Sequence, residues 1–275
     1  MTALAARHPA YPVGAALALV TTIGAAATFF VDGVLRGPAV MQGSARGTAL
    51  VMLAVAVPAL LAGMWLARRG SVRGVLAWLG ALGYLIYNAV MLLFGTPFNR
   101  LFLFYVAILG LALAGTISLL CGLDVPALAE RLREAPARAI AVYVWVIAAA
   151  NALIWLRVVV PGLGAEGAPA FLDGTGLLTN PIYVQDLAFW LPLAGLSARW
   201  LWRRTAWGYV VVGGLLGMWL IEAIGVTSDQ WFGHRADPAS TVATLGGAYL
   251  FAVIAVVNAV AITLFLRLRR RGRAA

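Results

Sequence analysis

The stretch Asn180-Pro-Ile-Tyr-Val-Gln-Asp-Leu-Ala-Phe-Trp-Leu-Pro192 places an acid, Asp186, inside a run built like a membrane helix. Thr179 or Asn180 can cap its N-terminus, and Pro181 suits the first turn, where a missing N–H breaks no hydrogen bond. Asp186 then lies roughly 9 Å below the helix start at 1.5 Å per residue. Tyr183, three residues earlier, shares its face. An ionisable group at that depth is costly and as a rule points into a bundle or a wet cavity, so it marks a functional site by default. Pro192 removes a helix hydrogen bond just below it and can bend the span.

The rest of the chain has the same membrane character. With 63% hydrophobic residues, 11% charged residues and a mean hydropathy of +0.93, it has too little polar surface to cover a soluble domain. The composition predicts an all-α, polytopic transmembrane helix bundle forming one integral membrane domain over residues 1–275. A single cysteine, Cys121, excludes an internal disulfide, a thiolate metal site and a CxxC redox pair. The net charge of +10 is carried by arginine alone, without any lysine. Fifteen arginines fall at one set of loop ends and five (Arg36, Arg46, Arg100, Arg157, Arg235) at the other. The positive-inside rule accounts for this split with no nucleic acid partner and puts the richer side in the cytoplasm.

Eight spans are expected, at about residues 14–35, 48–66, 72–94, 101–120, 139–160, 180–204, 207–226 and 241–266. The first apolar run is too long for a typical signal-peptide core and reads as an uncleaved helix. Residues 124–138 carry mixed charge at helical spacing and read as a short surface helix. An even number of crossings puts both termini in the cytoplasm. The arginines from Arg267 to Arg273 would then attach the last helix to anionic lipid headgroups.

Internal similarity is visible. Residues 58–69 and 192–204 both run from a proline to a pair of arginines, and Gly74, Gly80, Gly83, Asn88 and Ala89 fall opposite Gly208, Gly214, Gly217, Glu222 and Ala223. This suggests a four-plus-four parallel repeat, with halves 1–123 and 138–275 joined by residues 124–137. Chance similarity among Ala-, Gly-, Leu- and Trp-rich helices is the competing account.

Nearly all intramembrane polar residues fall on the outer half. Asp32 ends the first span; Tyr84, Tyr87 and Asn88 occupy the outer part of the third; Arg100 and Tyr105 begin the fourth. Asn151 and Arg157 lie in the fifth, Tyr183, Gln185 and Asp186 in the sixth, and Glu222 in the seventh; Asn258 is the exception, on the inner half of the eighth. Gly80, Tyr84 and Asn88 form one helical stripe, and Gly214, Met218 and Glu222 another. Gly213 and Gly217 add a small-xxx-small pair suited to close helix contact. One reading is an outward-opening pocket with acids (Asp32, Asp186, Glu222), arginines (Arg100, Arg157) and Tyr and Asn donors. The other is a set of interfacial residues and buried Arg–carboxylate pairs that set helix register. The cost of burying unpaired groups favours a shared site for Asn88, Tyr105, Asn151 and Asp186.

Other motifs carry less. Gly162-Leu-Gly-Ala-Glu-Gly167 matches GxGxxG but follows a membrane helix, outside the strand–turn–helix context that binds dinucleotides. His8 and His234 fall on opposite sides of the membrane, which leaves no His pair for zinc or haem. No lysine is present for a retinal Schiff base and no GxSxG for a hydrolase, so no cofactor is expected. A hard-cation site on Asp32, Asp186 and Glu222 stays open.

Tyr87-Asn88, Phe94-Gly95, Phe98-Asn99 and Leu101-Phe-Leu-x-Tyr-Val-Ala107, with Asn180-Pro-Ile-Tyr-Val-x-Asp-Leu187, resemble a group of uncharacterised bacterial polytopic membrane proteins across spans three to seven. The resemblance implies an eight-span membrane fold and supplies no activity. The Lys-free, Ala-, Gly- and Arg-rich composition suits a GC-rich bacterial genome and a bacterial cytoplasmic membrane. The expected function is binding or sensing of a small polar molecule or lipid headgroup in an outward-facing pocket. The alternatives are a secondary transporter, for which only Asn258 and scattered Ser and Thr continue a polar path inward, a metal-free enzyme at the outer leaflet, and a structural or assembly role.

Overall fold

The computed structural model describes residues 8–267, and these form helices and connecting turns with no strand. The helices are α1 (Ala10–Phe30), α2 (Ala39–Arg68), α3 (Val72–Phe94), α4 (Phe102–Cys121), the short α5 (Val125–Arg131), α6 (Ala137–Gly162), α7 (residues 181–202), α8 (Ala206–Ala236) and α9 (Leu245–Phe265). Among the described residues seven of these, all but α5 and α7, are long and apolar enough to cross a membrane. In α7 the apolar run is interrupted by Gln185, Asp186 and Arg199, although the helix is continuous. Of the terminal arginines only Arg267 lies within the described residues.

α8 is the central element, packed against α2, α3, α5, α7 and α9. α3 and α8 bury 67% and 61% of their apolar windows, against 22% for α6 and α9, so the first pair forms the core and the second the periphery. α3 and α8 approach at Gly80 and Gly217, where a Cβ on Gly80 would stand 2.8 Å from the Gly217 carbonyl carbon. α5 is capped by the Asp124 carboxylate and buries Leu128, so it is a docked amphipathic helix and more than a solvated charged face.

Three boundaries differ from the hydropathy reading. α1 ends at Phe30, which leaves Asp32 in the following turn. α2 begins at Ala39 instead of near residue 48, and α8 continues to Ala236 instead of ending near residue 226. The last two extensions have one cause. A side chain at Gly43 or Gly47 would strike the α8 backbone at Phe232 or Ser228, and Ser228 Oγ donates to the Gly47 carbonyl at 2.9 Å. The two polar helix ends support each other by close contact, which a hydropathy window does not register.

α2 and α7 share a sequence of local devices. Each contains a five-residue π-helical turn, Met52–Ala56 in α2 and Asp186–Trp190 in α7, directly before Val57-Pro58 and Leu191-Pro192. The Leu191 N–H returns to the Asp186 carbonyl, and that of Val57 to Met52, five residues back. Because the proline that follows has no N–H, the ladder widens by one residue at this point. After each turn come 12 α-helical residues, then a residue with positive φ (Gly70, 75°; Arg204, 56°), then a hydroxyl N-cap, Ser71 or Thr205, accepting from Gly74 or Gly208.

Candidate functional site

α3, α7 and α8 bring three acids into one region of the bundle. Asn180 caps α7 through Oδ1, accepting from the Ile182 N–H at 2.9 Å, and Asp186 opens the π turn half-buried. Trp155 Nε1 on α6 donates to Asp186 Oδ2 at 2.8 Å, and the Tyr87 hydroxyl faces the same carboxylate as a second donor. Gln185 fixes this wall of the site: its Nε2 donates to the Tyr87 carbonyl at 3.4 Å and its Oε1 accepts from Trp190 Nε1 at 3.2 Å. Tyr183 packs its ring against Trp155 and Phe171, at centroid distances of 4.9 and 5.3 Å.

One residue along α3, the buried Asn88 donates through Nδ2 to Glu222 Oε2 at 2.7 Å and to the Tyr84 carbonyl at 3.2 Å. Glu222, Gly225 and Asp229 lie on one face of α8. The fully buried Tyr84 directs its hydroxyl at this face, 3.1 Å from where a Gly225 Cβ would stand, and that hydroxyl has no hydrogen-bond partner. Asp229 is half-buried, and Ser44 Oγ reaches its backbone carbonyl at 3.5 Å. Among the described residues, no arginine forms an ion pair with Asp186, Glu222 or Asp229; the ion pairs there are Arg46–Asp32 and Arg133–Glu130. The Asp186 and Glu222 carboxylates therefore take neutral donors, and among the described residues arginine pairing does not account for the burial of any of the three.

The remaining predicted residues lie elsewhere. Tyr105 is buried between α1 and α4, its hydroxyl 2.9 Å from Thr28 Oγ1. Asn151 donates to the Ile147 carbonyl of its own helix at 3.0 Å, and Arg157 is exposed on α6. Asp32 is a surface residue, its side chain 95% exposed and bridged to Arg46 at 2.8 Å. That removes it from the hard-cation set with Asp186 and Glu222, and among the described residues no group of three or more His, Cys, Asp or Glu is arranged to hold a metal ion. Arg100 is exposed in the turn before α4 and lines a cavity of about 470 Å³ with Arg36, Phe98 and Phe102. Asn258 is a structural crosslink, accepting from Tyr143 at 2.6 Å and donating to the Trp219 carbonyl at 3.2 Å.

Sequence reasoning missed Trp155 and Asp229. Nothing in the spacing of Trp155 pairs it with Asp186. Asp229 read as a loop residue; its signal was the Glu222, Gly225, Asp229 spacing, which continues one helix face past the apolar run. Comparison with family models, with curated proteins and with solved structures finds no match.

Proposed function

We propose that this protein binds a small polar solute carrying a positive charge, in a pocket walled by α3, α7 and α8 that opens to the outer side of a bacterial cytoplasmic membrane. The observation that carries the reading is that Asp186 and Glu222 receive hydrogen bonds from Trp155 and Asn88 but form no ion pair with a cationic side chain among the described residues. Carboxylates held in a membrane interior without a cationic partner are expensive, and a bound cation compensates them. Tyr84 and Tyr87 supply hydroxyls to orient the solute. In this reading α7 is an eighth crossing, both termini are cytoplasmic, and the two halves descend from a four-span unit. The arginine asymmetry and the shared π turn, proline and hydroxyl cap of α2 and α7 support that topology.

The test is thermal stabilisation of the purified protein in phosphatidylcholine nanodiscs across organic cations (choline, ethanolamine, guanidinium, spermidine) and matched neutral analogues. A saturable response to a cation, lost in Asp186→Asn and Glu222→Gln, is the expected result; a response that both variants retain rules the pocket out. The paired π turns favour secondary transport as a second reading, because proline-broken helices in matched positions are the usual place for a substrate site in duplicated transporters. Cation flux into sealed vesicles would separate transport from binding alone.

A further inference from the structure

Where the N-terminal end of α2 meets the C-terminal end of α8, a second cavity of about 350 Å³ has the opposite charge. Gln42 and Arg46 line it from α2 and Phe232 and Arg235 from α8, with Gly43 between them. Arg46 gives one Nη2 hydrogen bond to Asp32, while its Nε–H is buried and without a partner. Arg235 has no carboxylate within ion-pair distance among the described residues. The first turn of α2 adds no acid, and no side chain caps it. Asp32 satisfies only one edge of the Arg46 fork from a nearly fully exposed position, so it competes weakly for that guanidinium.

We infer that this cavity is an oxyanion site, binding a phosphate or carboxylate group between Arg46 and Arg235. Guanidinium groups hold such oxygens in a planar, two-pronged geometry, and Arg235, with no carboxylate partner among the described residues, brings one such group to the cavity lining. Phe232 and Gly43 add apolar lining, and the Gln42 amide is already engaged, its Nε2 donating to the Gly37 carbonyl at 2.8 Å, which leaves the two arginines as the cationic groups of the cavity. Arg235 also offsets the dipole at the end of α8, but that role is electrostatic and leaves its donors free. The site is independent of the acidic pocket and stands or falls separately from it.

The anion can be free in solution or the headgroup phosphate of an anionic lipid, and two arms distinguish them. In the first, inorganic phosphate is titrated against the full chain in phosphatidylcholine nanodiscs, with thermal stability as readout. In the second, the protein is extracted from membranes containing phosphatidylglycerol and the retained lipid is counted by native mass spectrometry. The expected result is a saturable response in at least one arm. Arg235→Gln and Arg46→Gln weaken it by at least about tenfold, the equivalent of one lost charge-assisted hydrogen bond. Asp32→Asn, which frees the second edge of Arg46 at an exposed position, strengthens it. Phosphate without phosphatidylglycerol identifies a soluble anion, and the reverse identifies a headgroup. No response in either arm, a response unchanged in Arg235→Gln, or weaker binding in Asp32→Asn overturns the proposal.

Discussion

Asn88 and Glu222, 134 residues apart in the chain, are joined by a 2.7 Å hydrogen bond between α3 and α8. They also stand opposite each other when the two halves of the sequence are aligned, so the bond links corresponding places of two similar helices. The same helices touch at Gly80 and Gly217, two turns below. Asn88→Leu leaves the Glu222 carboxylate half-buried without its donor, and a loss of about 1–3 kcal/mol is expected. Glu222→Gln keeps an oxygen for Asn88 and should cost less than half as much. Reversible unfolding in detergent micelles, closed as a double-mutant cycle, measures both.

Trp155→Phe keeps the ring that packs on Tyr183 but removes the indole donor to Asp186. A destabilisation of about 1–3 kcal/mol is expected for an unsatisfied partly buried acceptor. Asp186→Asn can accept the same hydrogen bond but without the charge, so Trp155→Phe should cost about half as much in an Asp186→Asn background. A much larger loss with the charged carboxylate would show that this bond compensates the charge itself.

Pro192→Ala restores an N–H directly below the π turn. The ladder can then return to α-helical spacing, which rotates Asp186 by about one residue, or 100°, away from Trp155. Cation-dependent stabilisation should fall as far as in Asp186→Asn while the protein remains folded. Pro58→Ala, at the matching place in α2, alters a turn with no acid and should leave that stabilisation intact.

Gly80→Leu forces a side chain into the Gly217 backbone and should cost about 1–3 kcal/mol or separate α3 from α8. Gly110→Ala, in α4 with nothing within 4 Å of the new Cβ, should be neutral or slightly stabilising. Thermal midpoints in one detergent provide the comparison.

Whether α7 crosses the membrane is decided by labelling on either side of it. In a Cys121→Ser background, Asp173→Cys and Arg203→Cys should react with impermeant maleimide from opposite faces of sealed vesicles. Labelling from the same face would return the protein to seven crossings.

Composition and arginine placement were enough to define the class: a helical membrane bundle with little beyond it. Pro58 and Pro192, each followed by a pair of arginines, made the likeness of residues 58–69 and 192–204 legible, because a proline acts on its own backbone and needs no partner; the matching hydroxyl caps Ser71 and Thr205 came only with the structure. Asp186 was legible as a costly residue for the same reason. Its partners were not: Trp155 and Tyr87 hold it, Arg157 is exposed, Asn151 bonds the backbone of its own helix, and Tyr105 bonds Thr28. Helices surrounded by lipid are apolar on every side, so hydropathy carries no record of which face turns inward. That rotation is set by where backbones approach, at Gly43, Gly47 and Gly80, and only the packed structure fixes it. The same contacts extend α2 and α8 beyond their apolar runs. They bring Asp229 into line with Glu222 and open the arginine-lined cavity above them.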